Sequence, residues 1–279
     1  MEAAVGGYSL AKRGVVTIAN DAKIFVKIAE GDMTKKWLKK EILAYQKLNN
    51  AEYPFIPQLL AYNDDHSAMA IEYLEHANFD NIWDKDKLDA ICNAQEELKK
   101  YKTIFINDSD FTLESVVGLD PKWPAILREG SLEKINKKFE QLGVDATFTR
   151  DQIESYKQML ADWRIADTTL VHQDIRADNF GYDTTTHQGK LIDWNWLCIG
   201  DESLDTTPLF INMYISGFDP YQFHPETYDG NMLAYLISFW LERVLASDQN
   251  ENDLAFKRSK AQATSVKAAV ELLARKPTR

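Results

Sequence analysis

The sequence predicts an α+β fold in which a small, antiparallel β-rich part with one helix precedes a larger, mainly helical part. Three observations carry this reading. Residues 6–28 and 58–74 are dominated by short apolar and β-branched runs separated by turn residues. After residue 78, apolar side chains recur at three- and four-residue steps. Two short strand-like runs, 169–171 and 190–192, interrupt the helical pattern. With 279 residues, 45% of them hydrophobic, the chain can bury a substantial core.

The elements follow in order. GGYSL, RGVVTIA and KIFVKIA read as strands, with Asn20-Asp21 as a hairpin turn. Residues 34–49 read as a helix because Leu38, Ile42 and Tyr45 recur at helical spacing, with Asp32 or Thr34 as its cap. Pro54 and Pro57 punctuate the chain, and QLLAY and SAMAIEYLE supply two more strands. The β-rich part ends near a hinge at residues 72–76. Helices are predicted over 85–101, 131–142, 149–163, 205–216, 229–246 and 253–275, with long loops at 118–124 and 217–230. Such loops often shape a pocket.

Charge and cysteines narrow the function classes. Forty-three acidic against 32 basic residues give a net charge of −11, which argues against a nucleic-acid partner, for which a basic stripe is needed. The same balance suits a cationic ligand. Cys92 and Cys198 lack CxxC spacing, so neither a structural metal site nor a disulfide framework is indicated. The N-terminus has no basic region followed by an apolar one, and no apolar run approaches 18 residues. A cytoplasmic protein with no membrane partner is the expectation. Nothing in the sequence specifies an oligomeric state.

The densest chemistry lies in residues 171–194, VHQDIRADNFGYDTTTHQGKLIDW. Pairing of the strand-like runs 169–171 and 190–192 would bring Asp174, Asn179 and Asp193 to one end of a hairpin. Two carboxylates and an amide are hard oxygen donors, which suit Mg²⁺ held by few protein ligands and completed by substrate phosphates. A base beside an attacking hydroxyl, with metal ligands close by, is the layout phosphoryl transfer requires. In that layout Asp174 is the base, and Asn179 and Asp193 hold the metal. His172 is read as a packed histidine that fixes the loop, because Mg²⁺ prefers oxygen. Gly6, Gly7 and Ser9 form a candidate phosphate-covering loop, since glycine lets backbone N–H groups approach an anion. No G-x-G-x-x-G is present.

The spacing of His172, Asp174, Asn179 and Asp193 resembles the kinase catalytic loop followed by its metal-binding aspartate. Trp194-Asn195 in place of Phe-Gly, and the lack of A-P-E, set it apart from protein kinases. The Ile192-Asp193-Trp194 ending resembles the aminoglycoside phosphotransferase-like family of small-molecule kinases, whose usual loop is H-G-D-x-x-x-x-N; Gln173 stands where Gly is usual. The resemblance extends over most of the chain, though only residues 171–194 are specific.

The resemblance implies a protein-kinase-like two-lobe fold, with a nucleotide-binding lobe and hinge at 1–76 and a helical catalytic and substrate-binding lobe at 77–279. It implies Mg²⁺ and ATP, or GTP, as phosphoryl donor. Lys27, inside an apolar strand, would meet the α- and β-phosphates together with Glu41, which shares the inward helix side of Leu38, Ile42 and Tyr45 while Lys35, Lys36, Lys39 and Lys40 look solvated. Backbone groups of Glu72, Tyr73 and Leu74 would bond the adenine. Arg176 would reach the transferring phosphate, or else pair with Asp178 or Asp205. Asp205 would cap the next helix or, with Asp201 and Glu202, touch a cationic substrate. The implied activity is transfer of the γ-phosphoryl group to a hydroxyl of a small molecule: aminoglycoside-like, an amino-alcohol or a sugar. Gln173 and the thin glycine loop motivate the alternative of a non-catalytic nucleotide-binding module that regulates a partner.

Overall fold

The computed structural model describes residues 2–3, 11–116, 121–219, 228–247 and 253–275. Gly6, Gly7 and Ser9 lie outside the described residues. The chain divides into two compact units, Met1–Gly118 with Asp167–Asp205, and Leu119–Ala166 with Thr206–Arg279.

The first unit holds an antiparallel sheet of β1 (Glu2–Ala3), β2 (Lys12–Thr17), β3 (Lys23–Ile28), β4 (Leu59–Tyr62) and β5 (Ala68–Glu72), in the order β1-β2-β3-β5-β4. The predicted hairpin forms. Asn20 and Asp21 both take left-handed backbone (φ 61° and 59°), which these two residue types tolerate and which matches the twist of a tight hairpin. The register sets Arg13 opposite Lys27 across β2–β3, and Lys27 opposite Met69 across β3–β5.

Helix α1 (Asp32–Asn50) starts two residues before the predicted helix. The Thr34 hydroxyl accepts the backbone N–H groups of Glu30 (2.9 Å) and Gly31 (3.1 Å), so it satisfies donors from inside the first turn. Its buried face carries Leu38, Glu41, Ile42, Tyr45 and Leu48 and packs on β4, β5 and the turn Trp194–Trp196. Lys40, expected in solvent, has a buried amine 5.3 Å from the centre of the Phe111 ring; burial lowers its pKa to about 8. Helix α2 (Lys85–Lys99) is capped by Asp84, whose carboxylate accepts the Lys87 N–H at 2.7 Å. A short α3 (Leu113–Val116) follows.

The strands around the densest motif pair differently from expectation. Four strands form: β6 (Thr169–Val171), β7 (Phe180–Asp183), β8 (Gln188–Leu191) and β9 (Cys198–Gly200). β6 pairs with β9, and β8 with β7. The runs 169–171 and 190–192 therefore do not form a hairpin with each other. The local partner wins because β7 and β8 are separated by only a short turn, whose closure costs little chain entropy. Asp183 makes that turn, its carboxylate accepting the Thr185 N–H at 2.8 Å. Trp194 is fully buried, edge-on to Tyr53 and His172.

The second unit is helical: α4 (Trp123–Ile126), α5 (Ser131–Gln141), α6 (Arg150–Met159), most of α7 (Ser203–Ile215), α8 (Gly230–Ala246) and α9 (Asp253–Ala274). α8 is apolar nearly all round, as befits a helix packed by α4, α5, α6 and α9. Lys138 donates to the carbonyls of Val244 (3.0 Å) and Leu245 (2.9 Å), placing a cation at the negative end of α8. Among the described residues, no helix is long and apolar enough to cross a membrane.

Gly189 in β8 faces the Phe180 ring so closely that an added Cβ would fall inside it. Gly189→Ala is therefore expected to destabilise the first unit by about 1–3 kcal/mol through overpacking, read as a lower urea midpoint at unchanged slope. An unchanged midpoint would mean that the ring can move away freely.

Candidate active site

The site is assembled from three elements of the first unit: β3, α1 and the segment 172–195. Lys27 lies in β3, opposite Arg13, and its side chain is buried. Its ammonium donates to Glu41 Oε1 (2.6 Å) on α1 and to Asp193 Oδ1 (3.0 Å) just beyond β8. Burial opposes the charge on Lys27, but the carboxylates of Asp193 and Glu41 together outweigh it and raise the ammonium above its ordinary value. One cation thus serves two carboxylates. The deeper one suffers for it: burial pushes Glu41 up to about 7 despite Lys27. For Asp193 burial acts upward too, but the charge of Lys27 prevails and holds the carboxyl below its usual range.

The loop between β6 and β7 carries the second half. Asn179 donates its side-chain N–H groups to the Asp174 backbone carbonyl (2.9 Å) and to Asp174 Oδ2 (2.8 Å). Both are acceptors, so the amide orientation is fixed and Oδ1 is the end left for a cation. The Asn179 carbonyl accepts the Ile192 N–H at 3.0 Å, which ties this residue to the end of β8, next to Asp193. Asp174, Asn179, Asp193, Lys27 and Glu41 are thereby brought together, although the expected hairpin is absent. Burial raises the Asp174 carboxyl above the ordinary carboxylate range, against the lowering influence of Arg176. Arg176 pairs with Asp174 (Nε–Oδ1 3.0 Å, Nη2–Oδ2 3.2 Å) and with Asp178 (3.4 Å).

Two residues lock the loop. His172 is fully buried; its Nε2 donates to the Ile192 carbonyl (3.0 Å), and its Nδ1 accepts the Asp174 N–H (3.3 Å). That pattern needs a neutral ring, and burial lowers the imidazole to about 4. Asp205 sits inside the first turn of α7, not at its cap. Its carboxylate accepts the backbone N–H groups of His172 (3.0 Å) and Gln173 (2.6 Å). Burial pushes it up to about 7 against those donors. Gln173 has left-handed backbone (φ 66°), a region that costs an L-residue roughly 1–2 kcal/mol and glycine nothing. This is the physical reason glycine suits the position. Here the Gln173 side chain also donates to Cys198 Sγ.

The remaining predicted positions fall at and just beyond the end of β5, an inner strand of the sheet. The Glu72 amide bonds the Gln58 carbonyl (2.9 Å), and its carboxylate accepts from Lys190 (2.7 Å). The Leu74 carbonyl accepts the Ala77 N–H at 3.2 Å. Among the described residues, no group of three His, Cys, Asp or Glu is placed to hold a metal ion. Asn179 and Asp193 supply one amide oxygen and one carboxylate, a sparse set that fits Mg²⁺ completed by phosphates and water and would not by itself make a closed metal cage. Sequence reasoning missed Arg13, which lines the cleft beside Lys27, Glu41, Asp193 and Asn195; its only signal was a period-two position opposite Lys27. A larger cavity of about 420 Å³, lined in part by Tyr214, Asp219, Glu271 and Arg275, lies within the second unit and contains none of these residues.

The model of the phosphotransferase enzyme family, APH, matches residues 7–242. No curated protein sequence matches the chain. The choline kinase LicA from Streptococcus pneumoniae is 17% identical, with 96% of this chain and 92% of that one covered at a TM-score of 0.59. A spectinomycin phosphotransferase is 13% identical over 96% and 92% of the two chains, at 0.59. An aminoglycoside phosphotransferase is 14% identical over 96% and 92%, at 0.51. These likenesses establish the α+β, kinase-like fold, with its antiparallel sheet and larger helical part. The family match spans most of the chain, and the chain belongs to the APH phosphotransferase enzyme family.

Proposed function

We propose that the chain is a Mg²⁺-dependent small-molecule kinase that moves the γ-phosphoryl group of ATP, or GTP, to a hydroxyl. The observation that carries this is the buried Lys27 ammonium held between Glu41 and Asp193, with Asn179 and Asp174 bonded alongside. The choline kinase of the same fold has been solved with AMP, and the spectinomycin phosphotransferase with ADP and spectinomycin. The first supports a bound nucleotide, and the second a nucleotide together with a small-molecule acceptor.

In this reading residues 1–76 grip the nucleotide, and 77–279 carry the catalytic loop and acceptor pocket. Gly6, Gly7 and Ser9 cover the phosphates, and the backbone at Glu72 to Leu74 bonds the base. Glu41 aims Lys27, whose third N–H remains for a phosphate oxygen. Asn179 and Asp193 would hold Mg²⁺, which when bound neutralises charge on the donor phosphates. Asp174 orients the acceptor hydroxyl and takes its proton as the new P–O bond forms and the bond to the nucleoside diphosphate breaks. Because the transition state is loose, position counts for more than basicity. Arg176 offers a fixed charged fork to the transferring group. The acceptor is an aminoglycoside-like molecule, an amino-alcohol or a sugar, and the acidic balance favours a cationic one. Dependence on a nucleoside triphosphate favours the cytoplasm.

The test is a panel of such acceptors assayed for ATP consumption with and without Mg²⁺. Asp174→Ala and Asp193→Ala should each lower turnover by at least about 10²-fold while the melting curve stays cooperative. Wild-type turnover in either variant would defeat the assignment. A base must be deprotonated, so activity falls as pH drops through the Asp174 pKa. Arg176 holds that pKa down, so Arg176→Gln should move the acid limb of kcat/KM to higher pH as well as lowering the plateau. An acid limb that stays in place would separate Arg176 from Asp174.

A further inference from the structure

We infer that Arg13 is a second cation for the nucleotide phosphates, acting from the floor of the sheet beside Lys27. The inference rests on the nucleotide reading above. Directly opposed residues of an antiparallel pair project from the same face of the sheet, and Arg13 is directly opposed to Lys27. Both side chains line one cleft with Glu41, Asp193 and Asn195. The Arg13 guanidinium acts electrostatically on Glu41 and on Asp193 and favours the ionised form of each. It therefore lies within range of the groups that surround Lys27.

The donor count leaves room for a second cation. Lys27 has three N–H donors, and Glu41 and Asp193 occupy two of them. Among these protein groups two cations face two carboxylates, so before any metal binds Arg13 offsets the carboxylate charge that Lys27 alone leaves unbalanced. A guanidinium presents five donors in a fixed fork suited to phosphate oxygens, where an ammonium is a point charge. Arg13 is half-buried, so its charge is only partly screened.

The test is calorimetric titration of the full chain, wild type and Arg13→Ala, with ATP, ADP, AMP and adenosine in Mg²⁺. Arg13→Ala should weaken ATP about tenfold or more, weaken ADP, and leave adenosine unchanged, with Arg13→Lys recovering part of the loss. In turnover assays KM for ATP should rise while KM for the acceptor holds. Equal weakening of all four ligands would mark Arg13 as merely structural, and unchanged ATP affinity would remove its role; either overturns the inference. If Arg13→Ala does not fold, Arg13→Gln, which keeps the stem, gives the same readout, and failure of both to fold makes Arg13 a folding residue and overturns the inference too. A wild-type chain that binds no nucleotide would be a distinct result that defeats the nucleotide reading itself.

Discussion

The Lys27 ammonium, buried between the carboxylates of Glu41 and Asp193, is the constraint around which the first unit is organised. It joins a strand and the helix that follows it to a loop 166 residues further along the chain. A buried pair of this kind is weak evidence for stability, because desolvation of the charges can exceed their attraction. Two carboxylates on one ammonium make the arrangement costlier still, and the upward push on Glu41 expresses that cost. A fold has little reason to keep such a cluster for its own sake. It has good reason if a phosphorylated ligand and a metal cation complete the charge balance.

Around this cluster the packing is apolar and tight. Trp194, next to Asp193 in sequence, is fully buried against Tyr53 and His172, and α1 packs on the same turn. The helix that delivers Glu41 and the turn that follows Asp193 are thus parts of one core. Asp193 and Gln173 both take left-handed backbone, a conformation that persists only where surroundings enforce it. For Gln173 the enforcement is visible in Asp205, which holds two successive backbone N–H groups of the loop.

Much of this was legible in the chain. The helices α2, α5, α6, α7, α8 and α9 and the strands β2 to β5 lie where periodicity and turn residues put them. His172, expected as a packed residue that holds the loop, is one. Other parts were not legible. FGYD and QGKL alternate too weakly to announce a hairpin, because each contains a glycine, yet they pair with each other and leave β6 to β9. Asp205 reads as a helix cap because Asp before an apolar run usually is one; only its partners, 32 and 33 residues away, give it another role. Lys40 reads as solvated within a lysine-rich helix face, and only the position of Phe111 buries its amine.

The sequence by itself determined the fold class, the helical and strand segments, and the identity of the charged and amide residues at 172–193, since these depend on local periodicity and on residue chemistry. Tertiary structure decided which strand pairs with which, that one ammonium is shared by two carboxylates, that Asp205 clamps the loop, and that Arg13 stands beside Lys27. All but the last depend on packing between residues remote in the chain, which no local pattern encodes; the Arg13–Lys27 pairing is local and follows from the register of the β2–β3 hairpin.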